Sequence, residues 1–153
     1  FGASIIKPFK VFDFSTDEDM SSIFVSAKHD AYKDSFNYTH ERIIKINKKN
    51  GDLSGVDNLI SENNTKQLIN NYSIRFHLYP GVNAVRTIGK NSILIQIEKN
   101  RSLLFTANGE NISLEKSIFL GRNKIINNFC ITVLGMLKIN ENKKIYWKLK
   151  KNN

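Results

Sequence analysis

Three histidines, His29, His40 and His77, one cysteine, Cys130, and five arginines among 23 cationic residues are the side chains from which chemistry would have to be built. Three imidazoles can make a zinc site on strands. No two of these lie at i, i+2, however, and nothing in the spacing brings them together, so no metal ligand is assigned. Cys130 sits in an apolar run, where thiols are usually inert packing residues. It is not read as a nucleophile. The sequence holds no P-loop, no Gly-rich dinucleotide turn, no His-Glu-x-x-His and no Gly-x-Ser-x-Gly. No catalytic residue and no cofactor is therefore expected. What remains is recognition. Arg75, His77 and Tyr79 alternate along one stretch, and Tyr146, Lys148 and Lys150 along another. Aromatics interleaved with cations on one face can stack sugars or bases. The same pattern also makes an ordinary solvated sheet face with cross-strand aromatic pairs.

The elements that must position these residues have a period of two. Tyr72, Ile74, Phe76 and Leu78 alternate with Ser73, Arg75, His77 and Tyr79. Ile93, Ile95 and Ile97 alternate with Leu94, Gln96 and Glu98, and Ile145, Trp147 and Leu149 with Lys144, Tyr146 and Lys148. Such alternation puts one face in a core and the other in water. About ten strands follow, near 4–14, 22–28, 40–48, 52–60, 72–79, 82–88, 91–98, 101–107, 110–120, 124–138 and 144–149, some of them merging. Asn50-Gly51 and Asn108-Gly109 read as tight type I′ hairpins, because that turn needs two positive φ angles. Gly89-Lys90, Pro80-Gly81 and 140–142 read as further turns. The polar stretches 15–22 and 57–71 read as surface loops. The Lys/Asn-rich tail, 148–153, is expected to fray. The stretch 131–137 is apolar on both faces. It suits a central strand covered on both sides, or one bordering a neighbouring domain. The fold expected is all-β, a two-layer antiparallel sandwich.

At 153 residues the chain has the size of one domain and can bury roughly two-thirds of its unfolded surface without a disulfide or metal staple. Its 41% hydrophobic and 24% charged residues are those of a globular chain. No run of 18 apolar residues exists, so no membrane-spanning helix is expected. The net charge of +9 favours polyanionic partners. It has an equal compositional explanation: 18 of the 23 cations are Lys, and Asn and Ile occur 20 times each, the mark of an AT-rich coding source. With Phe1 in first place and no leader before it, the chain reads as a piece of something longer.

Five motifs in order carry a resemblance. They are His29-Asp30-Ala31-Tyr32, His40-Glu41-Arg42, Leu53-Ser54-Gly55-Val56-Asp57, Arg75-Phe76-His77-Leu78-Tyr79-Pro80-Gly81, and the run from Leu114 to Gly121, followed by Trp147 on the last strand. The series resembles the C-terminal β-domain of bacterial heparinase II/III-like polysaccharide lyases, over residues 29 to 149. Family members often carry Gly where this chain has Ala31 and His where it has Tyr79.

The resemblance implies a C-terminal β-sandwich whose partner is the parent's own N-terminal α/α toroid, with an acidic, uronic-acid polysaccharide as substrate and no nucleic acid or membrane. It implies a β-elimination, which needs a base at C5 of the uronate, an acid for the leaving oxygen and a neutraliser for the carboxylate. Those groups lie mostly in the toroid. The family's further histidine and metal ligands lie in early β-strands expected before Phe1, so no catalytic or metal residue is carried over. Substrate contact is expected from Arg75, His77, Arg42 and His29 as a cationic rim, since the planar fork of Arg suits carboxylate and sulfate. The matching residues also have architectural readings. Asp30 and Tyr32 can fix a turn by an Asx-type bond and a packed ring, and Arg42 and Asp57 can pair across a hairpin. The alternative is a free-standing glycan- or nucleic-acid-binding β-module.

Overall fold

The computed structural model describes residues 8–62, 70–89, 91–109, 111–121, 124–138 and 140–152. Eleven strands and one helical turn follow in order: β1 (Val11–Glu18), β2 (Ser22–His29), α1 (Lys33–Phe36), β3 (Tyr38–Asn47), β4 (Leu53–Ser61), β5 (Asn70–His77), β6 (Asn83–Arg86), β7 (Ser92–Glu98), β8 (Arg101–Ala107), β9 (Asn111–Leu120), β10 (Ile125–Leu137) and β11 (Lys143–Asn152). Every pairing is antiparallel. The larger sheet has the order β1-β2-β3-β4-β11-β8-β7-β6, and the smaller β5-β10-β9. This is the expected all-β sandwich.

Two meanders, β1 to β4 and β6 to β8, make the halves of the larger sheet, and β11 is the strand that joins them. The inward-facing residues of both sheets form one core. Ile93, Ile131, Val133 and Ile145 are fully buried, with Phe105, Ile112 and Trp147 nearly so. Each large aliphatic or aromatic side chain there contributes about 1.5–3 kcal/mol. Phe76 bridges the sheets, its ring centroid 4.9 Å from Phe105 and 5.0 Å from Trp147, tilted against both as aromatic quadrupoles prefer.

Two glycines in strands mark where rings lie on the sheet. Gly55 sits directly opposite Trp147, and Gly135 directly opposite Tyr72. A Cβ on either would collide with the facing ring. An aromatic lying over a cross-strand glycine fills the gap the missing side chain leaves.

Several expectations are corrected. The stretch 15–22 is not a loop, because β1 runs to Glu18 and β2 starts at Ser22. As an edge strand, β1 carries its charges outward and bulges between Phe12 and Ser15, with Asp13 at φ 50°. Both devices blunt an open edge. The expected strand at 4–14 begins, among the described residues, at Val11, and its first residues lie outside them. The stretch 57–71 is no single loop: Asp57 to Ser61 belong to β4, and Asn70 and Asn71 to β5. The tail is paired as far as Asn152, which faces Ser102 on β8.

Asn50-Gly51 does close a hairpin, but not as type I′. Only Gly51 has positive φ (73°), and the amide of Asn47 donates to the carbonyl of Asp52 across a four-residue loop. Asn108-Gly109 makes no hairpin. It carries the chain from the larger sheet to the smaller, and Gly109 lies so close to Val133 that a Cβ would collide with it. Pro80-Gly81 is a turn as expected, with Gly81 at φ 86° and the amide of Val82 donating to Tyr79. The apolar stretch 131–137 is the middle of the smaller sheet, buried except at Leu134 and Met136. At the far end of β9 and β10, Ile118, Leu120 and Ile125 are all more than half exposed, as are Val11 and Phe14 on β1.

Candidate functional site

Strand register assembles a polar cluster on the inner face of the larger sheet. Tyr38, His40 and Arg42 alternate along β3, so all three face the smaller sheet. His29 at the end of β2 stands directly opposite His40, and Arg42 directly opposite Asp57 on β4. Trp147 on β11 is the diagonal neighbour of Asp57. The turn that returns the chain from β2 to β3 holds α1, which ends at Asn37 in the left-handed region (φ 60°). Asp30 fixes this turn, though not by an Asx bond. Its carboxylate accepts the backbone amide of Lys10 at 2.7 Å, and its carbonyl accepts that of Lys33. The ring of Tyr32 stands against His29, centroids 5.3 Å apart.

Asp57 is fully buried and accepts three hydrogen bonds. Oδ1 takes Nε2–H of His40 and Nε–H of Arg42, both at 2.7 Å, and Oδ2 takes the indole N–H of Trp147 at 2.8 Å. Burial alone would push the carboxyl up. The hydrogen bonds from His40 and Arg42, with the guanidinium charge, outweigh it and hold Asp57 below the usual carboxylate range.

The bonds continue outward in one direction. With Nε2 of His40 donating to Asp57, its Nδ1 is the acceptor for Nε2–H of His29, 2.8 Å away. Nδ1 of His29 then accepts the amide of Ala31 at 3.3 Å. The Ala31 amide can only donate, so it fixes both tautomers with both rings neutral. All four ring nitrogens are thereby engaged, and neither ring has a lone pair free to take a proton from a substrate.

Burial, and after it the nearby His40 and Arg42, depress the pKa of His29, with Asp30 opposing. A histidine that resists protonation when folded contributes stability that is full above its unfolded pKa, near 6.5, and is lost as the pH falls below it. The unfolding temperature should therefore fall from pH 7.5 to pH 5.5. His29→Gln, whose amide can still donate to His40, should flatten that slope. An equal slope in the variant would refute the assignment.

Beside this cluster lies a cavity of about 440 Å³ between the sheets. His29, His40 and Arg42 form one wall, with Tyr38 below them. Tyr32 and Phe36 enter from the turn. Tyr72 enters from β5, the outermost strand of its sheet among the described residues, and Arg75 borders the cavity from the same strand with its guanidinium turned to Ser73 and Glu115 on the opposite face. Among the described residues no carboxylate lines it. Three of the four expected contact residues, His29, Arg42 and Arg75, thus share one cavity. His77 does not line it, and its Nδ1 pairs instead with the Ser117 hydroxyl at 3.2 Å, across the smaller sheet. The expected pairing of Arg42 with Asp57 is present. His40, Asp57 and Trp147 carry the network but were not among the candidate residues.

The expectation that nothing brings the histidines together fails for His29 and His40. Among the described residues, even so, no group of three His, Cys, Asp or Glu is disposed to hold a metal ion. Cys130 is buried, and burial pushes its thiol up, away from the thiolate a nucleophile needs.

No curated protein matches the chain. Among solved structures, a heparan sulfate lyase from Pedobacter heparinus superposes with a TM-score of 0.75 at 14% identity, over 94% of this chain and 22% of that one. A heparinase III gives 0.72 at 15% identity, over 95% of this chain and 21% of its own. A second heparinase III gene product gives 0.68 at 12% identity, over 91% and 21%. The chain spans about a fifth of the length of the structures it matches, and at these identities the likeness is one of fold. The model of the heparinase II/III-like C-terminal family, by contrast, matches the sequence itself over residues 9–148, and by that match the chain belongs to this family.

Proposed function

We propose that this domain is the non-catalytic C-terminal sandwich of a lyase that cleaves uronic-acid polysaccharides by β-elimination. It supports an N-terminal α/α toroid, which holds the reactive groups, and contributes cationic contacts to the glycan. The observation that carries this reading is the meeting of His29 and Arg42 on one cavity that, among the described residues, no carboxylate lines. The planar guanidinium of Arg42 suits the carboxylates and sulfates of such a polymer. The non-catalytic part draws on the same cluster. An eliminating base needs a free lone pair near its operating pH, and the ring nitrogens of His29 and His40 are all occupied. They position Arg42 and shape the wall. The apolar end of β9 and β10 is the surface we assign to contact with the toroid.

The test compares the 153-residue chain with the longer reading frame that contains it. Each is incubated with heparan sulfate and with a non-sulfated uronate polymer, and unsaturated uronate is followed by its ultraviolet absorbance. The longer protein should release unsaturated ends and the chain alone none. Release by the chain alone would overturn the non-catalytic role. Inactivity of the longer protein on every uronate polymer would overturn the lyase reading.

A further inference from the structure

We propose that the turn between β2 and β3 is a pH-operated lid on the inter-sheet cavity, released when a proton added to the His29–His40 pair emerges at Nδ1 of His29. The device is independent of what the cavity holds and of the lyase reading.

At neutral pH the pair holds two ring protons, one on Nε2 of His40 facing Asp57 and one on Nε2 of His29 facing His40. A third proton has two places to go, the Nδ1 of either ring. On His29 it lands directly against the Ala31 amide and turns a hydrogen bond into two opposed N–H groups. On His40 it would meet the Nε2–H of His29, so that ring must give up this proton and carry one at Nδ1 instead. Both routes end with an N–H of His29 pointing at the N–H of Ala31. The inner end cannot yield, because the Asp57 carboxylate only accepts and is itself held by Arg42 and Trp147. Every protonation of the pair is therefore expressed at the turn.

The turn is built to answer it. Its ends are tied firmly, by Asp30 to the amide of Lys10 at 2.7 Å and by Lys33 to Glu62 at 2.9 Å. Its middle is tied loosely to the sheet, by the 3.3 Å bond from Ala31 to His29 and a 3.4 Å bond from the amide of Tyr38 to the carbonyl of Tyr32. The single helical turn α1 has no side-chain cap and buries no residue. Tyr32 and Phe36, each nearly half exposed, are what this segment puts into the cavity wall. When the Ala31 bond turns repulsive, these two rings are the part that moves.

The charges around the pair set the direction. Arg42 on β3 and the desolvation of His29 oppose the charged ring, and Asp30, the next residue in the chain, favours it. Asp57 on β4 is already committed to His40, Arg42 and Trp147. On α1, Lys33 is paired with Glu62 and Asp34 lies in the first turn. Lys28, paired with Asp13 of β1, points to the opposite face of β2. From β5, Arg75 is turned away to Ser73 and Glu115. Phe9 and Tyr32 cover the His29 ring without charge. A turn that moves can bring Asp30 onto the new N–H, which gives the released state a partner of its own.

The experiment is NMR of the ¹⁵N-labelled 153-residue chain between pH 7.5 and about pH 4.5, a range that brackets the ordinary histidine value. Ring nitrogen shifts should show both histidines protonated at Nε2 alone at pH 7.5, and one proton taken up by the pair as the pH falls. In step with it, hydrogen exchange of the amides of residues 31 to 36, corrected for the intrinsic effect of pH, should quicken at least about tenfold relative to those of β4 around Asp57. Cross-relaxation between the rings of Tyr32 and His29, whose centroids are 5.3 Å apart, should fade together with it. His29→Gln keeps a donor to His40 and takes up no proton, so its turn should exchange at one corrected rate throughout. Should that variant not fold, the ring shifts and exchange of the parent still decide. An Nδ1–H form of either ring at pH 7.5, or a pair that takes up no proton in this range, would overturn the proposal. So would proton uptake that leaves the turn's exchange and the Tyr32 contact unchanged, or the same quickening in His29→Gln.

Discussion

Asp57→Ala should lower the stability of the domain by about 3–5 kcal/mol, the cost of removing one partner from a buried ion pair. In a chain of this size that corresponds to a fall in Tm of about 10 °C. The loss exceeds that of a surface charge because three donors are left without an acceptor. The indole N–H of Trp147, in a ring only 4% exposed, has no water to turn to. Arg42 is better placed, being partly exposed, so the penalty falls mainly on Trp147 and His40.

Asp57→Asn is the sharper probe. Its amide has one oxygen and one N–H₂, while both sides of Asp57 face donors. Whichever way the amide turns, an N–H meets an N–H, so Asn should recover less than half of the loss. Unfolding is read by the fluorescence of Trp147, the only tryptophan. Asp57→Ala within 1 kcal/mol of the parent would refute the network's role. The parent has a matching acid limit. With its folded pKa depressed, Asp57 contributes stability that is present above the unfolded value, near 3.9, and is lost as the pH falls through the folded one. That limit lies well below the one set by His29.

Gly55→Ala should cost about 3 kcal/mol, and Gly55→Val more. In most strands the change would help, since alanine restricts the unfolded chain by about 0.4–1 kcal/mol. Here the new methyl would press into the face of the Trp147 ring. That ring cannot retreat, because its N–H is tied to Asp57 and its edge is packed on Phe76. Steric cost therefore wins over the entropic gain. Gly55→Ala and Asp57→Ala act on the same ring, so their effects should add to clearly less than their sum. An additive double variant, or a Gly55→Ala protein as stable as the parent, would show that the ring moves freely.

The strands were legible because alternation is local: Tyr72 to Tyr79 or Ile145 to Leu149 announce a half-buried strand without reference to anything else. Where a rule needed a partner, it failed. Asn108-Gly109 has the composition of a hairpin, but the strand after it pairs in the other sheet, a choice made by β10. The polar stretch 15–22 looks like a loop because β1 is an edge strand and needs no apolar face. Asp57 was read two ways, inside the strand at 52–60 and at the start of a surface loop; the strand is right, and no described residue is more buried. Its partners lie 15, 17 and 90 residues away. Only the Arg42 pairing could be counted across the nearby hairpin. The meeting of His29 with His40 depended on the register across α1, which no single motif encodes.

The place of β11 in the larger sheet bears on synthesis. Strands β1 to β4 and β6 to β8 are each complete, self-paired ribbons, yet they share no ladder with one another. Both are synthesised before residues 143–152. Until β11 is in place the two half-sheets each keep a naked margin, and β11 acts as the slide of a zip that unites them.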